Sequence, residues 1–128
     1  MKAKKKRTQG MHWIRDAKRL AIYLRDGLAC GYCGSGVERG IRLTLDHLIP
    51  YSIGGSNDQS NLITCCLGCN SARGTKKFAS FVKENNSVVD AASIIAHIRR
   101  CTKRTIRLAE SKELIARRGG FVAAVKNV

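Results

Sequence analysis

Two Cys-x-x-Cys pairs, Cys30-Gly-Tyr-Cys33 and Cys66-Leu-Gly-Cys69, constrain this chain more than any other feature of its sequence. Two thiolates in each pair can bite one metal, and glycine lets the backbone turn sharply beneath it. Two such knuckles make a closed tetrahedron of four thiolates around Zn²⁺. A closed site leaves no position for water, so this zinc is expected to be structural, tying the segment after a first helix to the start of a central one. Disulfides are the rival use of the six cysteines, but two pairs at this spacing in a reducing cytosol read as ligands. Cys65 could replace Cys66 at a looser spacing. Cys101, on an apolar helix face, reads as an inert buried thiol.

The charge narrows the partners. The chain has 128 residues, and its 24 basic and 9 acidic side chains leave a formal charge of +15. Such a density repels itself and calls for a polyanion, DNA before RNA. The basic residues are spread over Lys2 to Arg7, over Arg73, Lys76 and Lys77, and over Arg99, Arg100, Lys103, Arg104 and Arg107, which suits a groove lined from several elements. Thr8, Gln9 and Gly10 stand where a signal peptide would need its apolar stretch, and no later segment is long enough to span a bilayer. The expectation is a cytoplasmic protein without a membrane partner.

The length suits one modest core. Trp13, Ile14, Ala17, Leu20, Ala21 and Leu24 recur at three and four, predicting an amphipathic helix from His12 to Asp26, with Gly27 as its terminator. Ile41 to Leu45 alternates and reads as a strand, with Pro50 beyond it. Gly54 to Asp58 forms a loop, and Leu62 to Thr64 a second strand. A helix is expected from Cys69 through Phe78, Phe81 and Val82 to Asn85 and Asn86. Ser87 with Asp90 resembles a capping box, and the following helix sets Ala91, Ile94, Ile95, Ile98 and Cys101 on one face. Its basic residues lie away from that face, where solvation and phosphate contact are equally natural uses. A last short helix beyond Ser111 is expected to end at Gly119 and Gly120. The organisation is a basic arm over 1–11, a central domain over 12–84 and a basic helical extension over 85–128.

Between the knuckles stand Asp46-His47, Pro50, Gly54-Gly55 and Asn61-Leu62, followed by Cys69-Asn70 and Arg73-Gly74. With Arg25-Asp26-Gly27 and the Cys30 knuckle ahead of them, these residues resemble the HNH endonuclease family over somewhat under half of the chain. The resemblance implies an α+β fold, a ββα-metal core stapled by the four-cysteine zinc site, with helices flanking it at both ends. It also implies roles: His47 as general base, Asp46 and Asn70 as ligands of a catalytic Mg²⁺ or Mn²⁺, and Asn61 as a brace behind the loop. Asn70 stands where many members have histidine, an HNN variant, and an amide oxygen still suits a hard metal. Arg73, Lys76 and Lys77 are expected to hold phosphate. Small size without a second specificity domain is similar to phage or mobile-element members.

The chemistry asks for the same residues. Phosphodiester hydrolysis needs an activated water, charge neutralisation on the phosphate and a stabilised leaving oxygen. His47 can take a proton near neutral pH, and Asp46 offers a hard carboxylate. Taken singly, each of these residues serves as readily in a turn or a cap, and His12 and His97 lack partners in sequence. The competing function is a zinc-stabilised module that binds nucleic acid without cutting it, although binding alone requires neither Asp46 nor His47. Duplex cleavage by one active site needs two protomers or two visits, so a homodimer is one arrangement to be tested.

Overall fold

The computed structural model describes residues 14–128. The basic arm, His12 and Trp13 lie outside the described residues. Helix α1, Asp16–Arg25, buries Leu20, Ala21, Ile22 and Tyr23. It ends before Gly27, whose φ of +77° is one that side chains disfavour.

Strands β1, Leu43–His47, and β2, Leu62–Cys66, form a two-stranded antiparallel sheet, with Leu43 opposite Cys66 and His47 opposite Leu62. Both strands were expected, and both run further toward the C-terminus than the alternation alone implied. Leu48 N donates to Asn61 O at 2.9 Å just past the end of β1, and Leu67 N to Arg42 O at 3.2 Å just past β2. Successive side chains on a strand face opposite ways, so the sheet separates two cores. One gathers Tyr32, Ile63, Cys65, Phe81, Val82, Ile98 and Cys101. The other gathers Ile14, Ile22, Tyr23, Leu43, Leu45 and Leu62, with Ile106, Phe121 and Val125 packed against it.

Beyond β2 the chain enters α2, Leu67–Arg73, completing a strand–strand–helix unit. The single helix expected from Cys69 to Asn85 is in fact two. Gly74 takes φ +54° and ψ −125°, outside any helix, and α3, Phe78–Asn85, begins beyond it. Apolar periodicity continues across the gap and hides the break. Helix α4, Val88–Lys103, starts at Ser87, whose side chain accepts from Asp90 N at 3.1 Å. That bond satisfies one of the four N–H groups left without partners at a helix start.

The C-terminal end departs from expectation. Helix α5, Leu108–Arg118, begins ahead of Ser111, and Gly119 at φ +84° closes it. A further helix, α6, Phe121–Lys126, follows the two glycines. The glycines turn the chain instead of ending it, because the apolar Phe121 and Val125 have a core to return to. Ser111 Oγ donates to Ala17 O at 2.6 Å, and the Tyr23 and Phe121 rings lie 6.1 Å apart, so α5 and α6 are fastened to α1.

A buried ion pair fixes α1 against the sheet. Arg25 and Asp26 bond side by side, through Nε to Oδ1 at 2.7 Å and Nη2 to Oδ2 at 3.1 Å. Arg25 also donates to Gln59 O at 2.8 Å and Leu62 O at 2.6 Å, while Asp26 Oδ2 accepts from Thr64 N at 2.9 Å. Both side chains are 1% exposed.

Candidate functional site

The four sulfurs of Cys30, Cys33, Cys66 and Cys69 lie within 4.8 Å of one another. Zn–S bonds near 2.3 Å imply tetrahedron edges of roughly 3.8 Å, and Cys33 Sγ to Cys66 Sγ measures 3.8 Å. The donor set therefore fits a zinc ion. Backbone N–H groups point at the sulfurs, from Tyr32 and Cys33 to Cys30 Sγ at 3.4 and 3.5 Å and from Cys69 to Cys66 Sγ at 3.3 Å. Burial raises the Cys33 thiol, but bonds to Ser35, Cys30 and Cys66 outweigh it and bring it down to about 7. Cys65 is wholly buried and outside the cluster, and of the two adjacent cysteines it is Cys66 whose sulfur joins the other three. Burial pushes the Cys65 thiol far up, as befits a core side chain.

At the other end of the sheet, a cavity of about 270 Å³ is lined by Leu45, Asp46, His47, Pro50, Tyr51, Ser52, Asn70, Arg73 and Gly74. The end of β1 supplies Asp46 and His47, the short 3₁₀ turn Tyr51–Ile53 supplies one wall, and α2 supplies Asn70. Cross-strand register sets Asp46 beside Ile63 on one face and His47 beside Leu62 on the other.

Asp46 Oδ2 accepts from Tyr32 Oη at 2.6 Å and from Arg73 Nη1 at 2.6 Å. Among the described residues no hydrogen bond ends on Oδ1. Burial first, and the Asp46 carboxylate second, raise the Tyr32 phenol far above its usual range, so Tyr32 remains a donor. His47 Nε2 meets Asn57 Oδ1 at 2.8 Å, and its ring packs 5.7 Å from that of Tyr51. Asn61 is buried behind the loop: its Oδ1 accepts from Ile49 N at 2.9 Å, and its Nδ2 donates to Ile49 O at 3.0 Å and Ser56 O at 2.9 Å. Gly55 sits so close that an added Cβ would overlap Ile49 O.

Asp46, His47, Asn70 and Arg73 thus come together around one cavity, and Asn61 stands outside it as a clamp on the loop. Arg73 requires correction. A surface contact with phosphate was expected, but Arg73 is 1% exposed and turns inward, donating to Asp46, to His47 O at 2.6 Å, to Leu48 O at 2.8 Å and to Lys76 O at 2.9 Å. Arg73 is the residue of α2 that is buried, and a guanidinium with five donors can satisfy several carbonyls at once. Lys76 and Lys77 are exposed, with Lys76 paired to Glu84 at 3.0 Å. Arg99, Arg100, Lys103 and Arg104 are exposed along α4, away from the cavity lining. Sequence reasoning gave no role to Tyr32 or Asn57. Tyr32 lies inside the first knuckle, and that position was the one signal available for it.

Residues 30–76 match the family model described as HNH endonuclease, so this segment is an HNH-type domain. The chain is also similar to CRISPR-associated endonuclease Cas9 of Corynebacterium diphtheriae, 31% identical over 87 residues. That alignment covers 67% of this chain and 8% of the relative, so the chain spans a small part of that protein's length. No solved structure matches. Both the family model and this relative are described as endonucleases. No helix among the described residues is long and apolar enough to cross a membrane.

Proposed function

We propose that this chain is a metal-dependent endonuclease that hydrolyses DNA phosphodiester bonds at the cavity between β1 and α2. The observation that carries the reading is the meeting of Asp46, His47 and Asn70 around one cavity of about 270 Å³. An acidic oxygen, an imidazole and an amide there are the groups that hydrolysis needs, whereas binding by charge alone would use none of them. The cavity residues fit a hard divalent cation: Asp46 has its Oδ1 clear of the bonds to Tyr32 and Arg73, and Asn70, which lines the same cavity, brings an amide oxygen as a second hard donor. Mg²⁺ or Mn²⁺ held by Asp46 and Asn70 would supply charge neutralisation at the phosphate and the leaving oxygen.

The chain's own residues divide the remaining work. His47 takes the proton of the attacking water. Arg73 and Tyr32 hold the Asp46 carboxylate in one orientation, and Asn61 keeps the loop over the cavity from collapsing into it. Lys76, Lys77, Arg99, Arg100, Lys103 and Arg104 attract the duplex through its phosphates. Zn²⁺ at the four cysteines supports the fold, and a reducing cytoplasm keeps those thiols available.

Supercoiled plasmid incubated with Mg²⁺ tests the reading. Cleavage to nicked or linear circles is expected, blocked by chelator, and His47→Ala should lower the rate by about two to four orders of magnitude with DNA affinity nearly unchanged. Nicked circles alone would indicate single visits by one site, and linear product a dimer or two visits. A His47→Ala protein that cuts at the wild-type rate overturns the role of the base. A wild-type protein that binds DNA and never cuts it would favour the non-catalytic module.

A further inference from the structure

We propose that Asn57 is a positioning residue for His47, fixing which imidazole nitrogen carries the proton and which faces the water; this rests on the nuclease reading above. The contact between His47 Nε2 and Asn57 Oδ1 is 2.8 Å. An amide oxygen can only accept, so Nε2 must carry the hydrogen. In a neutral imidazole the other nitrogen then holds the lone pair, and Nδ1 is the atom that receives the water's proton. The step balances: a lone pair of the water oxygen forms the new O–P bond, the water's proton passes to Nδ1 while its O–H electron pair stays on that oxygen, and the opposite P–O bond of the phosphodiester breaks, its electron pair leaving on the departing oxygen, which takes up a proton from solvent.

The position of Asn57 is built and not accidental. Its own carbonyl accepts from Lys18 Nζ of α1 at 2.6 Å. The preceding residue, Ser56, has its carbonyl held by Asn61 Nδ2 at 2.9 Å. One residue earlier, Gly55 N donates to Pro50 O at 3.0 Å, and the packing there leaves no room for a side chain. Asp58, just beyond, is fixed in turn by accepting from Ser60 N at 2.9 Å. The backbone is therefore anchored on both sides of Asn57, and one short, two-torsion side chain reaches the ring. Partners that orient a metal-ligating histidine typically change affinity or activity by about 10- to 100-fold when removed, and a loss of that order is expected for an oriented base.

The test compares Asn57→Leu with Asn57→Asp in the full-length, zinc-loaded protein. Asn57→Leu removes the acceptor at similar size, and Asn57→Asp keeps an acceptor at the same atom. For Asn57→Leu, kcat should fall about 10- to 100-fold with KM little changed, and Asn57→Asp should recover most of the loss. A second measurement needs no cleavage. The chain has three histidines, so the His47 ring signals in ¹⁵N NMR can be assigned by their disappearance in His47→Ala. The Nε2–H signal of His47 should be present in the wild type and in Asn57→Asp and lost to exchange in Asn57→Leu. If Asn57→Leu keeps both kcat and that signal, or if Asn57→Asp is as impaired as Asn57→Leu in both, the proposal fails. If the wild type does not cut at all, the nuclease reading fails, and the NMR comparison still decides whether Asn57 sets the tautomer.

Discussion

Among the described residues two arginine–aspartate pairs are buried, and they differ in what surrounds them. Arg25 and Asp26 bond through two parallel contacts, with both side chains 1% exposed. The remaining bonds of that pair go to the backbone of β2 and the turn before it. Arg73 and Asp46 bond through one carboxylate oxygen, with Asp46 10% exposed at the cavity. The first pair consumes both oxygens in holding α1 to the sheet. The second consumes one and presents the other. Identical residue chemistry thus yields a strut in one place and a carboxylate with an open oxygen in another, and the deciding variable is how many lone pairs the fold leaves unspent.

The largest expected effect is on the strut. Asp26→Ala leaves a buried guanidinium without its counter-charge and Thr64 N without an acceptor, and breaking such a pair costs about 3–5 kcal/mol. Urea unfolding of zinc-loaded protein measures it. A loss under about 1 kcal/mol would mean that the pair does not support α1 and the contrast is empty.

Asp46→Asn sharpens the other side. The amide oxygen can still accept from Tyr32 and Arg73, so most of the fold should survive, while the loss of negative charge should lower cleavage at least about 100-fold, close to 2.7 kcal/mol of barrier. Cleavage and melting should therefore separate here and fall together for Asp26→Ala. Equal falls in both assays for Asp46→Asn would make it a second strut.

The sequence made one half of this contrast legible and concealed the other. Asp46 and His47 stand out because they are adjacent, polar and at the end of an apolar strand, and the knuckles announce themselves by local spacing. Arg25, Tyr32, Asn57 and Arg73 act on partners 10 to 37 residues away, several of them backbone carbonyls. Nothing in a linear pattern distinguishes an arginine that will bond main chain from one that will meet phosphate, and Arg73 is of the first kind. The helices were legible wherever periodicity ran unbroken, as in α4. They were misjudged at Gly74 and at Gly119–Gly120, where the same residue type once breaks a helix and once turns the chain between two.

A smaller effect is expected from Tyr32→Phe, which removes one of the two donors to Asp46 Oδ2. A hydrogen bond to a charged group contributes about 1.5–3 kcal/mol, and the lower end suits a carboxylate that keeps Arg73. Its melting shift and cleavage loss should both lie between those of wild type and Asp46→Asn. The smallest belongs to the exposed pair of Lys76 and Glu84. Glu84→Ala should change stability by less than about 1 kcal/mol, because solvent screens both charges. A larger change would show that exposure is a poor guide to what these ion pairs contribute.

The adjacency of Cys65 and Cys66 carries a consequence for assembly. One sulfur is in the core and its neighbour is in the four-sulfur cluster. A one-residue slip of β2 would simply exchange them, because a strand's faces alternate at every residue. The metal alone is thus a degenerate reader of register: it would find four sulfurs either way. What distinguishes the two alignments is the grip of Arg25 and Asp26 on Gln59 O, Leu62 O and Thr64 N. Order of events then matters, since a chain whose first helix has docked before the ion arrives offers it a single choice of sulfur.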